Sequence, residues 1–418
     1  MQETRIVLRN VGKYNPASVG EFRALGGYSG LQKALSLDPA AIIEEMKASG
    51  LRGRGGAAFP TGTKWSFVYG TEADQKYIVC NADEGEPATN KDRVIMAGDP
   101  HSLIEGMAIA GYAVGASEGY IYLRFEYPYI MPVLENAIND ARSAGFLGEH
   151  IFGSDFSFDI KVVSGGGAYV CGEETALLES IEGKRGEPRY KPPYPGVSGL
   201  YGKPTVINNV ETLVNVPAIV NNGASWYRSF GVENCSGTKV FTLSGNLINR
   251  GVYEFPKGIN LRDLIFEVGG GCANGRKLLG VQTGGGSGSI INGDMLDISM
   301  DVESCEAAGA TFGAGDIMVF DDSNDLLEIV ENLMEFFTHE SCGKCTPCRE
   351  GNYRLLQIIR KIRKGNGTMA DLDTLQELSE TMMDCSLCGL GQASPTPIVS
   401  TLKNFRNVYV EAIERGRK

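Results

Sequence analysis

Three cysteines at C-x2-C-x2-C spacing, in Glu340-Ser341-Cys342-Gly343-Lys344-Cys345-Thr346-Pro347-Cys348-Arg349-Glu350-Gly351, constrain this chain more than any other stretch. Two-residue gaps let successive sulfurs turn towards one centre, and Gly343, Thr346 and Pro347 leave the backbone free to curl around it. Inert buried thiols explain isolated cysteines such as Cys80 or Cys171, but not three so close together. The fourth ligand has to come from elsewhere: Cys385-Ser386-Leu387-Cys388-Gly389 offers two thiols for that one place, and His339 is a weaker third. Zinc sites usually pair two separated C-x2-C units, whereas three close thiols with a remote fourth follow iron–sulfur habit. The stretch therefore reads as a [4Fe–4S] site, with zinc as the alternative.

A chain of 418 residues is long enough for two or three domains, each with its own core. A net charge of −12 argues against nucleic-acid binding. No run of about 18 uncharged apolar residues is present, so direct membrane insertion is not expected. The Met1 region lacks the cationic and apolar blocks of a signal peptide. A reducing, cytoplasmic setting follows, in which thiols serve as metal ligands rather than disulfides.

A helical stretch opened by Pro39 runs directly into Gly50-Leu51-Arg52-Gly53-Arg54-Gly55-Gly56-Ala57-Ala58-Phe59-Pro60-Thr61-Gly62-Thr63-Lys64-Trp65. Small residues after Arg54, with Arg52, Arg54 and Lys64 nearby, suit a phosphate or a flat ring lying on main chain. The run follows a helix where the dinucleotide fingerprint demands a strand, so an ordinary Rossmann reading fails. Strands are expected at Lys76–Cys80, Tyr120–Phe125 and Phe158–Val163, with helices at Ser102–Gly115, Ile130–Ala144 and from about Gly172. This alternation gives an α/β domain whose strand ends carry Asn81-Ala82-Asp83-Glu84-Gly85-Glu86-Pro87 and the Gly165 loop. Glu173 and Glu174 read equally well as caps of a helix dipole. Pro204–Thr212 reads as the start of another helix.

From about Cys235 short strands dominate, interrupted by one helix at Asn260–Val268, which fits a small β-grasp unit. Its Gly284-Gly285-Gly286-Ser287-Gly288 run reads as a plain turn. After Asp325 four helices are expected, Leu326–Phe337, Tyr353–Lys364, Leu372–Met383 and Pro397–Ile413, forming a bundle with the cysteines at its junctions. The domains are then 1–233, 234–322 and 323–418.

In order along the chain, several stretches together resemble the NADH-binding flavoprotein subunit of respiratory complex I, NADH:quinone oxidoreductase. They are Gly53–Gly62 with Lys64-Trp65-Ser66-Phe67, Cys80–Pro87, Tyr169-Val170-Cys171-Gly172-Glu173-Glu174-Thr175, Lys191–Pro195, Asn208–Thr212 and Glu340–Gly351. The resemblance covers nearly the whole chain; Ala88 stands where that family usually has glycine, and Tyr194 where phenylalanine is common. It implies a Rossmann-like FMN- and NADH-binding domain, a β-grasp domain and a helical bundle carrying a [4Fe–4S] cluster. FMN contacts are then expected from Gly53, Arg54, Gly55, Gly56, Lys64, Asn81, Asp83, Glu84, Gly172, Glu173, Asn208 and Asn209. NADH contacts are expected from Phe59, Phe67, Glu86, Glu174, Lys191 and Tyr194, with Glu86 orienting the nicotinamide and no side chain serving as acid or base. The cluster ligands become Cys342, Cys345, Cys348 and Cys388, since the family's register favours Cys388 over Cys385. A small [2Fe–2S] subunit and other hydrophilic subunits are the implied partners, peripheral to the inner membrane. The flavoprotein of an NAD-reducing hydrogenase or NAD-dependent formate dehydrogenase is the alternative; a chain that starts almost in the core and ends after the bundle favours complex I. The β-grasp unit is expected to contribute nothing to the flavin site, so a chain ending near Gly231 is expected to retain flavin.

Overall fold

The computed structural model describes residues 1–416. Its first unit is a four-stranded sheet of β1 (Tyr77–Ala82), β2 (Glu118–Leu123), β3 (Asp159–Ser164) and β4 (Thr205–Asn209), in the order β3-β2-β1-β4 with every pair parallel. Parallel strands need crossover segments that cover the faces. Here these include the Pro100–Val114 helix, buried along almost its whole length, and the Val210–Asn222 helix packed beside it. Chain direction reverses its walk across the sheet at β1, which puts the topological switch between β1 and β4.

β4 corrects the reading of Pro204–Thr212 as a helix start. Thr205 pairs with Tyr77 and Asn209 with Asn81, and the helix begins only at Val210, where the Asn209 side chain accepts the Glu211 N–H. Val206 and Ile207, β-branched and buried, take the strand because β1 offers them an open edge.

The second unit is a five-stranded mixed sheet in the order Ile290–Ile291, Leu278–Thr283, Asp316–Asp321, Thr238–Gly245, Gly251–Pro256. Asp316–Asp321 runs parallel to Thr238–Gly245, and the remaining pairs are antiparallel. Leu261, Leu264 and Ile265 of the crossing helix pack on Phe241, Val281 and Ile317, a β-grasp arrangement.

Helices follow at Leu326–Glu340, Thr346–Arg363 and Met369–Cys385. The last expected helix is divided into Thr396–Asn404 and Arg406–Arg415, preceded by a short Gly389–Ala393 turn. The break falls at Phe405, whose ring is buried in the bundle core close to Gly280 of the β-grasp sheet, so the chain bends to bury it. No helix among the described residues is long and apolar enough to cross a membrane.

A buried charge cluster joins the first two units. Glu211 accepts from Lys239 Nζ at 2.5 Å and from the Val240 N–H at 3.0 Å, and its other neighbour is Lys91 Nζ at 3.0 Å. Lys91 also pairs with Asp92 at 2.8 Å.

Candidate functional site

At the switch between β1 and β4 lies a cavity of about 480 Å³. Its floor is the polar run after β1: Asn81, Asp83, Glu84, Gly85 and Glu86. Asn81 Nδ2 donates to the Gly172 carbonyl at 2.8 Å and Asn81 Oδ1 accepts from the Asp83 N–H at 3.1 Å, which fixes the turn leaving the strand. Asp83 Oδ2 is buried without a partner on this wall, as is Thr89 Oγ1. Burial pushes the Asp83 carboxyl up to about 7 against the pull of Arg124. Glu84 accepts from the Asp92 and Arg93 N–H groups at 2.8 and 3.1 Å, capping the Lys91–Gly98 helix. Burial, then Asp92, raise it to about 7. Glu86 receives the Tyr169 hydroxyl at 2.6 Å and the Ser287 N–H at 2.7 Å.

Gly55, Gly56 and Ala57 form the opposite lip. A Cβ at Gly55 would stand 3.0 Å from Asn209 Cβ, and Gly56 has φ +122° with open space beside it, so both glycines let main chain reach the cavity. Gly172, Glu173 and Asn209 complete the expected residues on the wall. Glu173 caps the Glu174–Ile181 helix through the Thr175 and Ala176 N–H groups, the dipole role allowed for it.

Other expected contacts lie behind or beside the wall. The Arg54 guanidinium is buried away from it, donating to Arg52 O, Tyr227 Oη and Ser236 O. Gly53 bonds the Phe59 carbonyl through its N–H, and Asn208 Oδ1 accepts from Trp65 Nε1 at 2.8 Å. Lys64 Nζ donates to Ile207 O and lies 3.4 Å from Glu174. Lys191 bridges Glu173 at 2.9 Å and Glu174 at 2.8 Å, which joins this ion-pair group to the wall through Glu173. Burial would raise the Glu174 carboxyl, but Lys64 and Lys191 hold it below its ordinary value. Phe59, Phe67 and Tyr194 are exposed.

The rest of the wall goes beyond what the motifs imply. Thr89, Lys91 and Asp92 follow the Asn81–Pro87 run directly, and their nearness to it in sequence is the available signal. Gly284, Ser287, Thr311, Gly313 and Ala314 come from the β-grasp unit, and Gly389, Leu390, Ala393 and Thr396 from the helical one. The β-grasp unit therefore does contribute to the cavity, and the Gly284–Gly288 run is more than a plain turn.

A second, small pocket is lined by Cys342, Cys345, Cys348 and Cys388 with Val170, Pro188, Ser341, Lys344, Leu387 and Leu390. Cys385 is exposed, and neither it nor His339 lines the pocket. Among the described residues no three His, Cys, Asp or Glu side chains close around a single metal ion. The four thiols line one pocket together. Burial pushes the Cys348 thiol up to about 11, and the neighbouring Cys345, Cys388 and Cys342 add to the shift. Ser341 Oγ at 3.2 Å and Asn352 Nδ2 at 3.4 Å reach the Cys348 sulfur. Val170 and Leu390 line both the pocket and the cavity.

The cavity fits FMN in kind: main chain on one lip for a phosphate or ring, and unpaired Asp83 and Thr89 oxygens on the wall for a polar edge. Residues 46–218 match the family described as Nuo51 FMN-binding domain, and residues 328–412 match the NADH-ubiquinone oxidoreductase-F iron-sulfur binding region. The HndC subunit of the NADP-reducing hydrogenase of Solidesulfovibrio fructosivorans is 52% identical over 98% of this chain and 83% of its own. An NADH-quinone oxidoreductase-F protein of Rhizobium meliloti (strain 1021) is 47% identical over 99% of this chain and 98% of its own. Among solved structures, the NAD+-reducing [NiFe]-hydrogenase in the H2-reduced state matches with a TM-score of 0.85 and 40% identity over 93% of this chain, which spans 65% of that hydrogenase chain. With its FMN-binding domain and its [4Fe–4S] region both matched, the chain belongs to the NADH-quinone oxidoreductase-F family.

Proposed function

We propose that this chain is the NADH-oxidising flavoprotein subunit of a respiratory NADH:quinone oxidoreductase. The observation that carries the reading is the common wall: Val170 and Leu390 each face both the coenzyme cavity and the four-cysteine pocket. FMN in the cavity supplies the exchange between a hydride and single electrons, and a [4Fe–4S] cluster on Cys342, Cys345, Cys348 and Cys388 supplies a one-electron acceptor beside it. The protein supplies position. Gly53–Gly56, Lys64, Asn81, Asp83, Glu84, Gly172, Glu173, Asn208 and Asn209 shape or support the flavin seat. Glu86 orients the nicotinamide, Glu174 and Lys191 hold the adenosine end, and Phe59, Phe67 and Tyr194 offer aromatic faces to the adenine. The acceptors beyond the cluster would be a small [2Fe–2S] subunit and other hydrophilic subunits, at the cytoplasmic side of the inner membrane. The coenzyme is NADH.

A second reading, the flavoprotein of an NAD(P)-reducing hydrogenase, is favoured by the identity to the hydrogenase subunit and by the structural neighbour. The subunits that co-purify with the chain separate the two.

Anaerobic NADH titration of the purified complex tests the main reading. Flavin absorbance should bleach, and the EPR signal of a reduced cluster should grow. Cys388→Ser should abolish that signal and leave the bleaching, whereas Cys385→Ser should keep both. Flavin that NADH leaves oxidised would overturn the assignment, and an intact signal in Cys388→Ser would move the fourth ligand.

A further inference from the structure

The glycine run of the β-grasp unit lies directly on Glu86. Gly285 has φ +98°, a backbone region that strains other residues, and a Cβ there would stand 2.2 Å from Glu86 Cγ. A Cβ at Gly286 would come 2.9 Å from Pro87 Cγ. The turn is closed on itself, since the Gly288 N–H reaches Gly285 O at 2.9 Å and Gln282 Nε2 reaches Gly286 O at 2.9 Å. It is therefore a built surface rather than a loose loop, and its Ser287 N–H is aimed at Glu86 Oε1.

The other carboxylate oxygen is held from the opposite side. Tyr169 Oη donates to Glu86 Oε2, and the Tyr169 N–H donates to Glu340 Oε2 at 2.9 Å. Glu340 ends the Leu326–Glu340 helix just before the cysteine run, and the Tyr169 ring packs edge-on against Phe336, with centroids 5.1 Å apart. One carboxylate thus receives a donor from each side, one from the β-grasp unit and one from a tyrosine tied to the helical unit. The Gly286 N–H and the Ser287 side chain add to the donors around it, so the glycine turn supplies most of what holds this carboxylate in place on the cavity wall.

We propose that the Gly284–Ser287 turn is a positioning element of the coenzyme site, acting through Glu86 to seat the carboxamide of a nicotinamide dinucleotide. The proposal rests on the reading of Glu86 as the nicotinamide-orienting residue. Glycine at 285 is what lets the turn lie close enough for the Ser287 N–H to fix that carboxylate. A side chain at 285 displaces Glu86, and displacement of an orienting group by about 1 Å costs on the order of 100-fold in rate.

The test is a double-variant cycle in the holo-protein. Flavin content, NAD+ affinity by calorimetry, and kcat and KM for NADH with ferricyanide are measured for the wild type, Gly285→Ala, Glu86→Ala and the double variant. Gly285→Ala should keep flavin and cluster and lose at least about tenfold in NAD+ affinity and in kcat/KM. In the Glu86→Ala background the same change should cost less than about twofold, because the displaced side chain is gone. Equal losses in both backgrounds would show that the turn acts by some other route and would overturn the proposal. If Gly285→Ala sheds its flavin, the double variant should regain the flavin content of Glu86→Ala, and failure to regain it would also overturn the proposal. A wild-type flavin that NADH does not bleach would instead remove the reading of the site itself, so the two failures are distinct.

Discussion

Glu173 and Glu174 are neighbours in sequence with different work. Glu173 caps a helix, while Glu174 lies between Lys64 and Lys191, which hold its carboxyl below the ordinary value against burial. Sequence alone leaves the dipole reading open for both, since two carboxylates at a helix start look alike until the lysines that meet them are placed. The pairing sharpens the expectation for coenzyme choice. A 2′-phosphate entering beside Glu174 would meet its charge and find both lysines already neutralised. Glu174→Gln removes the repulsion and frees Lys64, while Lys191 keeps Glu173 as its partner. NADPH oxidation with ferricyanide should rise relative to NADH by about tenfold or more, since about 1.4 kcal/mol is enough for that ratio. An unchanged ratio in a folded, flavin-replete variant would assign the discrimination elsewhere. Arg54 teaches the opposite lesson. Its charge within a glycine loop reads as a phosphate ligand, yet the guanidinium turns inward to three oxygen acceptors.

Among the elements, local patterns are legible in the sequence and sheet edges are not. The helix running into the glycine loop, the strands near β1–β3 and the cysteine spacing are fixed by neighbours in sequence. β4 escapes a sequence reading because its pairing partner is more than a hundred residues away, while the amides at its end look like a helix cap. The junction of the Val210–Asn222 helix with the Thr238–Gly245 strand is equally invisible, because Glu211 and Lys239 meet only once both units are folded. Burial raises the Glu211 carboxyl, but Lys239, Lys91 and Arg54 overcome it and hold the group at about 2 against an ordinary 4.5. A depressed carboxylate contributes stability above its unfolded pKa and loses it as pH falls through the folded one. Glu211→Gln, which leaves Lys239 buried without its counter-charge, should cost about 3–5 kcal/mol near neutral pH. The difference from the wild type, read from denaturant midpoints, should narrow as pH is lowered from 4.5 towards 2. A gap independent of pH over that window would mean that the ion pair is not what joins these elements.

For the whole molecule, the cysteine pocket is the most legible feature and the cavity the least complete. Four thiols announce themselves by spacing, whereas a cavity closed by three units takes much of its wall from residues with no motif, such as Thr311, Ala393 and Thr396. A chain ending near Gly231 would keep the glycine lip and the Asn81–Glu86 floor but lose the β-grasp and helical walls. It would also leave Glu211 without Lys239. Such a truncated chain should bind FMN at least about tenfold more weakly than the full chain, as equilibrium dialysis would show. Equal affinity would mean that the first unit holds the flavin alone. The partition of Val170 and Leu390 sets a rule for traffic through the assembled molecule. Two aliphatic side chains offer no donor or acceptor along which a proton could hop, whereas an electron could tunnel past them. Under the proposed function the flavin and the cluster would then stand on the two sides of the same pair of aliphatic side chains, so that changing the bulk of Val170 or Leu390 would alter the gap an electron crosses without touching a ligand of either group.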